Sequence, residues 1–172
     1  MDAIDSSSGE GYTFSELAPG EVMKVFPLEN KLDNSYLDSP FFMYREQSSE
    51  ASFWEDYRHF QSIYFTAEFG GQTVAFIRAE LDGETFIKNT PGYLHVKGAF
   101  CLPEHRGKGV NQKLLNLLLQ KLKTQGYTRL GVIFESFNPS GSGFWLKHFS
   151  AYTHSVVRRI DEYAISKWEA AL

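Results

Sequence analysis

Among its 172 residues the chain has one cysteine, Cys101. A single thiol cannot close an internal disulfide, so the fold must be held by an apolar core, and a reducing cytoplasm is the expected setting. Long apolar runs are missing as well. The run from Leu114 to Leu119 is interrupted by Asn116 and falls far short of a bilayer span. The first residues carry neither the basic nor the apolar region of a secretory signal. Positive charge is in deficit: 17 Lys and Arg against 21 Asp and Glu give a net charge of −4. No broad positive field is therefore available to hold nucleic acid or an anionic membrane, and any cationic patch must be local. His59, His95, His105, His148 and His154 show no metal-ligand spacing, among themselves or with Cys101, so no metal centre is expected.

What the chain does have is apolar material. With 42% hydrophobic and 16% aromatic residues, it suits one globular domain across residues 1–172, with a polar start through Gly11 that is expected to fray. Tyr12-Thr13-Phe14 reads as a short first strand. Val22, Val25, Phe26, Leu28 and Leu32 have helical spacing across Glu21 to Leu37, with Pro27 breaking or kinking the helix. Ser49 precedes a second helix whose Phe53, Trp54, Tyr57 and Phe60 share one face, which either packs on a sheet or walls an acceptor pocket. Ile63–Phe69 and Thr73–Ala79 flank Gly70-Gly71, the pattern of a hairpin. Asp82-Gly83 marks a turn, and Asn89-Thr90-Pro91-Gly92 leads into a third antiparallel strand. Gly98 inside that strand predicts a bulge or a close approach.

The stretch from Tyr93 to Asn111 organises the rest. Its apolar segment closes on Gly98-Ala99-Phe100-Cys101-Leu102 and stops at Pro103, which cannot donate to a sheet ladder. A short basic loop with Gly107 and Gly109 follows. It opens into a helix with Val110, Leu114, Leu115, Leu118 and Leu122 on one face, ending near Gln125 before Gly126. Such a loop at a helix N-terminus suits a phosphate, because its N–H groups and the helix dipole both favour an anion. A Walker loop would need Ser or Thr where Gly109 stands, and a dinucleotide fingerprint would need a third spaced glycine. Leu130–Phe134 reads as a strand buried on both faces, parallel to the third strand through a right-handed crossover. Asn138-Pro139 starts another helix with Phe144, Trp145 and Phe149 on its apolar side. Tyr152 to Asp161 alternates again, and Glu162 to Leu172 closes as a short helix through Ile165 and Trp168.

Arg106-Gly107-Lys108-Gly109-Val110-Asn111, after Leu102-Pro103-Glu104-His105, resembles the acyl-CoA signature of the GNAT superfamily of N-acetyltransferases. Arg106 and Gly109 match, and Asn111 stands where Gly or Ala is usual. The segment from Phe137 to Phe149 resembles the superfamily's second conserved block, with Trp145 where many members carry a proton-donating Tyr. The resemblance implies an α/β fold with a mixed, mostly antiparallel central sheet flanked by helices, and a splayed parallel strand pair forming the acyl-CoA cleft. It implies acetyl-CoA as co-substrate and direct acetyl transfer to an amine. The pantetheine arm would bond main-chain groups of Ala99, Phe100 and Cys101 and the side chain of Asn138. The pyrophosphate would meet N–H groups of Gly107, Lys108, Gly109, Val110, Asn111 and Gln112, with Arg106 and Lys108 adding charge.

Transfer to an amine needs a route for one proton off the nitrogen and a donor for the departing thiolate. Glu135, just past an apolar strand at the mouth of the cleft, is the candidate base; as a strand-end carboxylate it could equally pair with a surface cation. An indole does not surrender its proton, so with Trp145 in that place the acid is another residue, Tyr152 or Tyr93, or water. Glu68 and Glu80 could also reach the acceptor. Asn138 could cap a helix as well as bind the arm. Cys101 could pair with a histidine as a nucleophile, although a small apolar role is ordinary at the end of a buried strand. Arg78 and one of Arg158 and Arg159 read more readily as surface charges than as pocket residues. The acceptor is expected to be a small molecule or a peptide, without nucleic acid or membrane, and a homodimer is compatible with the chain. Two other readings stay open: a non-catalytic module that holds CoA or a protein partner, motivated by Trp145, and one half of a tandem arrangement.

Overall fold

The computed structural model describes residues 11–38, 43, 45–81 and 92–154. The fraying start, the turn at Asp82-Gly83, the alternation past residue 154 and the closing helix lie outside the described residues.

One sheet runs in the order β1 (Tyr12–Glu16), β2 (Ile63–Phe69), β3 (Gln72–Glu80), β4 (Tyr93–Cys101), β5 (Arg129–Val132). Neighbours are antiparallel from β1 to β4, and β4 pairs with β5 in parallel. This is the mixed sheet with one parallel pair that the sequence led us to expect. Gly70 and Gly71 form the β2–β3 turn at φ 58° and 80°, the left-handed conformation that keeps a two-residue hairpin in step with the twist of its strands.

Each face of the sheet has its own helices. On one, α3 (Val110–Thr124) buries Leu114, Leu115, Leu118 and Leu122 against Phe65, Ala67, Ile77, Leu94 and Val96. Each such leucine contributes about 1.5–3 kcal/mol, so the helix whose first turn forms the glycine loop is firmly anchored. On the other, Val22, Val25, Leu28 and Phe53 pack on Tyr64, Phe76 and Phe100. Val22 comes from a 3-10 helix (Pro19–Lys24), Leu28 from α1 (Phe26–Ser35), Phe53 from α2 (Glu50–Phe60), and Val25 from the joint between the first two. The single kinked helix expected over Glu21–Leu37 is thus two pieces joined at Val25. Pro27 lies in the first turn of α1, where its missing N–H leaves no bond unmade. Ser49 caps α2 through its hydroxyl, which accepts from the Ser52 N–H at 3.1 Å.

Two details of β4 set up the site. Arg78 pairs with Gly98 but Ala79 with Val96, so Lys97 is an extra residue and the strand bulges beside Gly98. A Cβ on Gly98 would come within 3.4 Å of Phe76 and 3.6 Å of both Arg78 Nε and Leu32. The second detail corrects an expectation: Leu130–Phe134 is not a strand buried on both faces. β5 ends at Val132, only Gly131 within it is buried, and Ile133 is 43% exposed. The apolar run continues past the strand because the chain turns away from β4 there: Ile133 is left exposed, while Phe134 packs back on the core from outside the sheet.

Candidate functional site

The pairing of β4 with β5 stops at Val96 and Val132, yet β4 runs on from Lys97 to Cys101. A gap opens between the strands from that point. Main-chain groups point alternately to the two sides of a strand. The Leu102 N–H donates to the Val74 carbonyl of β3 at 2.9 Å, so Phe100 also turns its main chain to β3, whereas Ala99 and Cys101 turn theirs to the gap. The Cys101 carbonyl accepts there from Arg106 Nε at 2.9 Å.

Above the gap stands the glycine loop. Pro103–His105 forms one 3-10 turn, pinned to the sheet by His105, whose Nδ1 lies 2.8 Å from the Tyr12 hydroxyl and whose ring packs on Phe69. Gly107 and Gly109 take φ of 73° and 71°. Gly109 is the N-cap of α3 and has no side chain to occupy the first turn. The Lys113 N–H makes the first intrahelical bond, to the Gly109 carbonyl at 3.0 Å. The Val110, Asn111 and Gln112 N–H groups precede that bond at the positive end of the helix dipole. Lys108 is exposed, and the Asn111 Oδ1 is buried with no hydrogen-bond partner among the described residues. Arg106 does not stand free in the loop. Its guanidinium folds back onto β4 and lies 5.8 Å from the Phe100 ring centroid.

The far wall comes from the chain after β5. Asn138 caps α4 (Pro139–His148), its Oδ1 accepting from the Gly141 N–H at 3.2 Å. Trp145 is buried with its indole edge-on to Phe144 and Phe149. Glu135 is half-buried in the turn before α4, its carbonyl accepting from the Asn138 N–H at 2.9 Å. Because β5 runs parallel to β4, the chain beyond Val132 advances toward the loop end. Tyr152 is 67% exposed. Its hydroxyl is bonded to that of Tyr93, and burial first, then this bond, push the Tyr93 phenol up to about 12.

At the foot of the gap is a row of polar side chains on the α1 face that inspection of the sequence largely missed. His95 and Glu80 are 1% and 3% exposed and face each other in register across β3 and β4. The Ser62 hydroxyl donates to Glu80 Oε1 at 2.5 Å, and Arg78 Nε lies 3.5 Å from the same oxygen. Arg78 Nη1 lies 3.4 Å from Glu29 of α1 and donates to the Tyr64 hydroxyl at 3.3 Å, while that hydroxyl donates to Glu29 at 2.7 Å. Burial raises the Glu29 carboxyl above its ordinary range, with Arg78 opposing the shift. Arg78, expected as a surface charge, is held between two buried carboxylates instead. The signal was available in the alternation of β3, which puts Arg78 and Glu80 on the same face as Phe76.

Other candidates fall elsewhere. Glu68 stands at the hairpin end of β2, 3.7 Å from Lys24. Cys101 is buried, its Sγ 3.6 Å from the Leu102 carbonyl, and burial pushes its thiol up to about 11, as suits an inert core residue. Among the described residues no group of three His, Cys, Asp or Glu could hold a metal, and no helix is long and apolar enough to cross a membrane.

Comparison with known proteins follows the same lines. The acetyltransferase (GNAT) family matches residues 30–149. An aminoglycoside acetyltransferase from an uncultured soil metagenomic sample, solved with trehalose, is 12% identical, with 88% of this chain and 96% of that one covered and a TM-score of 0.67. An aminoglycoside 6'-N-acetyltransferase from Acinetobacter baumannii is 15% identical over 88% and 99%, with a TM-score of 0.63. An aminoglycoside N-acetyltransferase solved with CoA is 14% identical over 91% and 98%, with a TM-score of 0.67. No curated protein sequence matches significantly.

Proposed function

The chain belongs to the GNAT family of acetyltransferases, and from that membership we propose that it transfers the acetyl group of acetyl-CoA directly to the amine of a small molecule or peptide. The observation that carries the reading is the parting of β4 from β5 at Val96 and Val132, directly below a glycine loop on a helix N-terminus. An extended amide-bearing arm fits the open edge of β4 as a further strand would, and an anion fits the loop. The residues present therefore suit CoA.

In this reading the N–H groups from Gly107 through Gln112 hold the pyrophosphate, with Lys108 adding charge. Ala99 and the Cys101 N–H bond the arm, and Arg106 braces the edge at the Cys101 carbonyl. Phe100 contributes its place under Arg106 rather than a main-chain bond. Asn138 uses Oδ1 as a cap, which leaves its amide Nδ2 for the arm. When bound, acetyl-CoA supplies an activated thioester. The fold's task is to hold it still, admit an amine and move one proton. Glu135 on the far wall and Tyr152 at the open side are two candidates for moving that proton, in competition with the buried polar row at the foot of the gap. Aminoglycoside acetyltransferases share this fold, which supports a small-molecule acceptor without naming it. We place all of this in one cytoplasmic domain. The buried indole of Trp145 favours a second reading, a module that holds CoA without catalysis.

A thiol-reactive dye separates the two. Acetyl-CoA is incubated with the protein and with sisomicin, spermidine or the tripeptide Ala-Ala-Ala. Acceptor-dependent thiol release is expected; tight CoA binding with no release from any of the three contradicts the enzymatic reading.

A further inference from the structure

We propose that His95 takes the proton from the attacking amine and that Glu80, opposite it on β3, positions and supports it. The inference rests on reading the β4–β5 gap as an acyl-CoA site, and it concerns the end of that gap farthest from the glycine loop.

The direction of the bound molecule follows from the fold. With the pyrophosphate at the loop beyond Cys101, the arm must run back along β4 toward Val96, about 17 Å at strand spacing. The acyl carbon therefore arrives at the foot of the gap. A recess of about 30 Å³ lies there, lined by His95, Val96, Lys97 and Ile133. It has room for a water or the methyl of a short acyl group. The bulge at Lys97 breaks the ladder at this level, so the wall here is not regular strand. Of its lining side chains the imidazole is the one with a ring nitrogen able to accept a proton, and its almost complete burial confines its access to the recess. Glu135 is set differently: it lies beyond β5, on the wall that advances toward the loop, and is half-buried.

The surroundings suit a transient positive charge on His95. Glu80 faces it across the strand pair, where side chains directly opposite stand about 4.5–5.5 Å apart at Cβ. Arg78, the neighbouring cation, is shared between Glu80 and Glu29. The Tyr93 ring packs edge-on at 4.5 Å between centroids, and its hydroxyl leads to Tyr152. Lys97 is the other charged group next to the recess. In the step itself, the amine nitrogen attacks the thioester carbon. The C–N bond forms, the C–S bond breaks, and sulfur leaves with the electron pair as thiolate. The nitrogen's proton passes to a ring nitrogen of His95 and the thiolate takes one from water at the open side. His95 later returns its proton to solvent.

Two measurements test this. Bromoacetyl-CoA carries an electrophilic carbon at the acyl position: an imidazole nitrogen that reaches it forms an N–C bond, bromide leaves and the ring proton goes to solvent. Peptide mass spectrometry should find the adduct on His95, and excess CoA should prevent it. An adduct on Glu135, Tyr152 or Cys101 instead, or none on protein shown by calorimetry to bind CoA, overturns the inference. Protein that binds no CoA overturns the reading of the gap itself. In steady-state assays with the active amine of the panel above, folded His95→Gln should lose about 10²–10⁴-fold in kcat with acetyl-CoA affinity kept within about twofold. Glu80→Gln should move the rising limb of the pH–rate profile to lower pH, since removing the opposed charge makes the imidazole easier to deprotonate. A limb that stays put shows Glu80 to be structural. A full rate in His95→Gln, with the loss appearing in Glu135→Gln, assigns the proton to the far wall and overturns the proposal.

Discussion

The Tyr93 hydroxyl stands 2.1 Å from the place a Cβ on Gly131 would occupy. The Tyr93 ring can lie over β5 only because residue 131 has no side chain. Gly131→Ala is expected to displace the ring and destabilise the protein by about 1–3 kcal/mol, read from urea midpoints. Tyr93→Phe removes the clashing oxygen, so the double variant should lose less than the sum of the single losses. Strict additivity would show that the two residues do not meet.

Glu29 accepts from Tyr64 and pairs with Arg78 in a largely buried setting. Glu29→Ala takes the acceptor from the Tyr64 hydroxyl and leaves Arg78 with Glu80 as its one remaining carboxylate partner, and should cost about 3–5 kcal/mol, while Glu29→Gln keeps the shape and should cost less. The pH dependence has a definite sign. Burial holds the folded carboxyl above its ordinary 4.5, so the folded state binds this proton more tightly than the unfolded one. The corresponding stability is full below the ordinary value and lost as pH rises through the folded one. The difference in urea midpoint between wild type and Glu29→Gln, followed upward from pH 4, should show that slope. An opposite slope would mean that the pairing with Arg78 outweighs burial.

Cys101 should be nearly inert to iodoacetamide in the native protein at pH 8 and modified quickly in denaturant. Its thiol keeps its proton up to about 11 because of burial, against an ordinary 9.0. Here too stability is lost with rising pH, between 9.0 and about 11. Native and denatured labelling at equal rates would contradict the burial.

The glycine loop and α3 could be read from the chain because their information is local. Gly107, Gly109 and the leucine face each constrain a few neighbouring residues. The end of β5 could not, since Ile133 and Phe134 continue the apolar pattern after the chain has left the sheet, and nothing in hydrophobicity marks a divergence. The bulge was half-legible: Gly98 advertised it, and the extra residue proved to be Lys97. The buried polar row was hidden for a different reason. Glu80 and His95 each occupy an alternating position that a single strand would show to solvent, and only the register of β3 on β4, with Glu29 arriving from α1, brings them under cover.

The central claim is that the gap and loop hold acyl-CoA, and calorimetric titration of CoA into wild type and Gly109→Asp tests it most directly. Residue 109 takes φ of 71° at the N-cap of α3, where Asp restricts the turn and sets a carboxylate against the pyrophosphate. Wild type should bind with an affinity that weakens as salt rises, and the folded variant should bind at least about 100-fold more weakly, about 2.7 kcal/mol. An unchanged dissociation constant in a variant with the wild-type melting temperature would contradict the account.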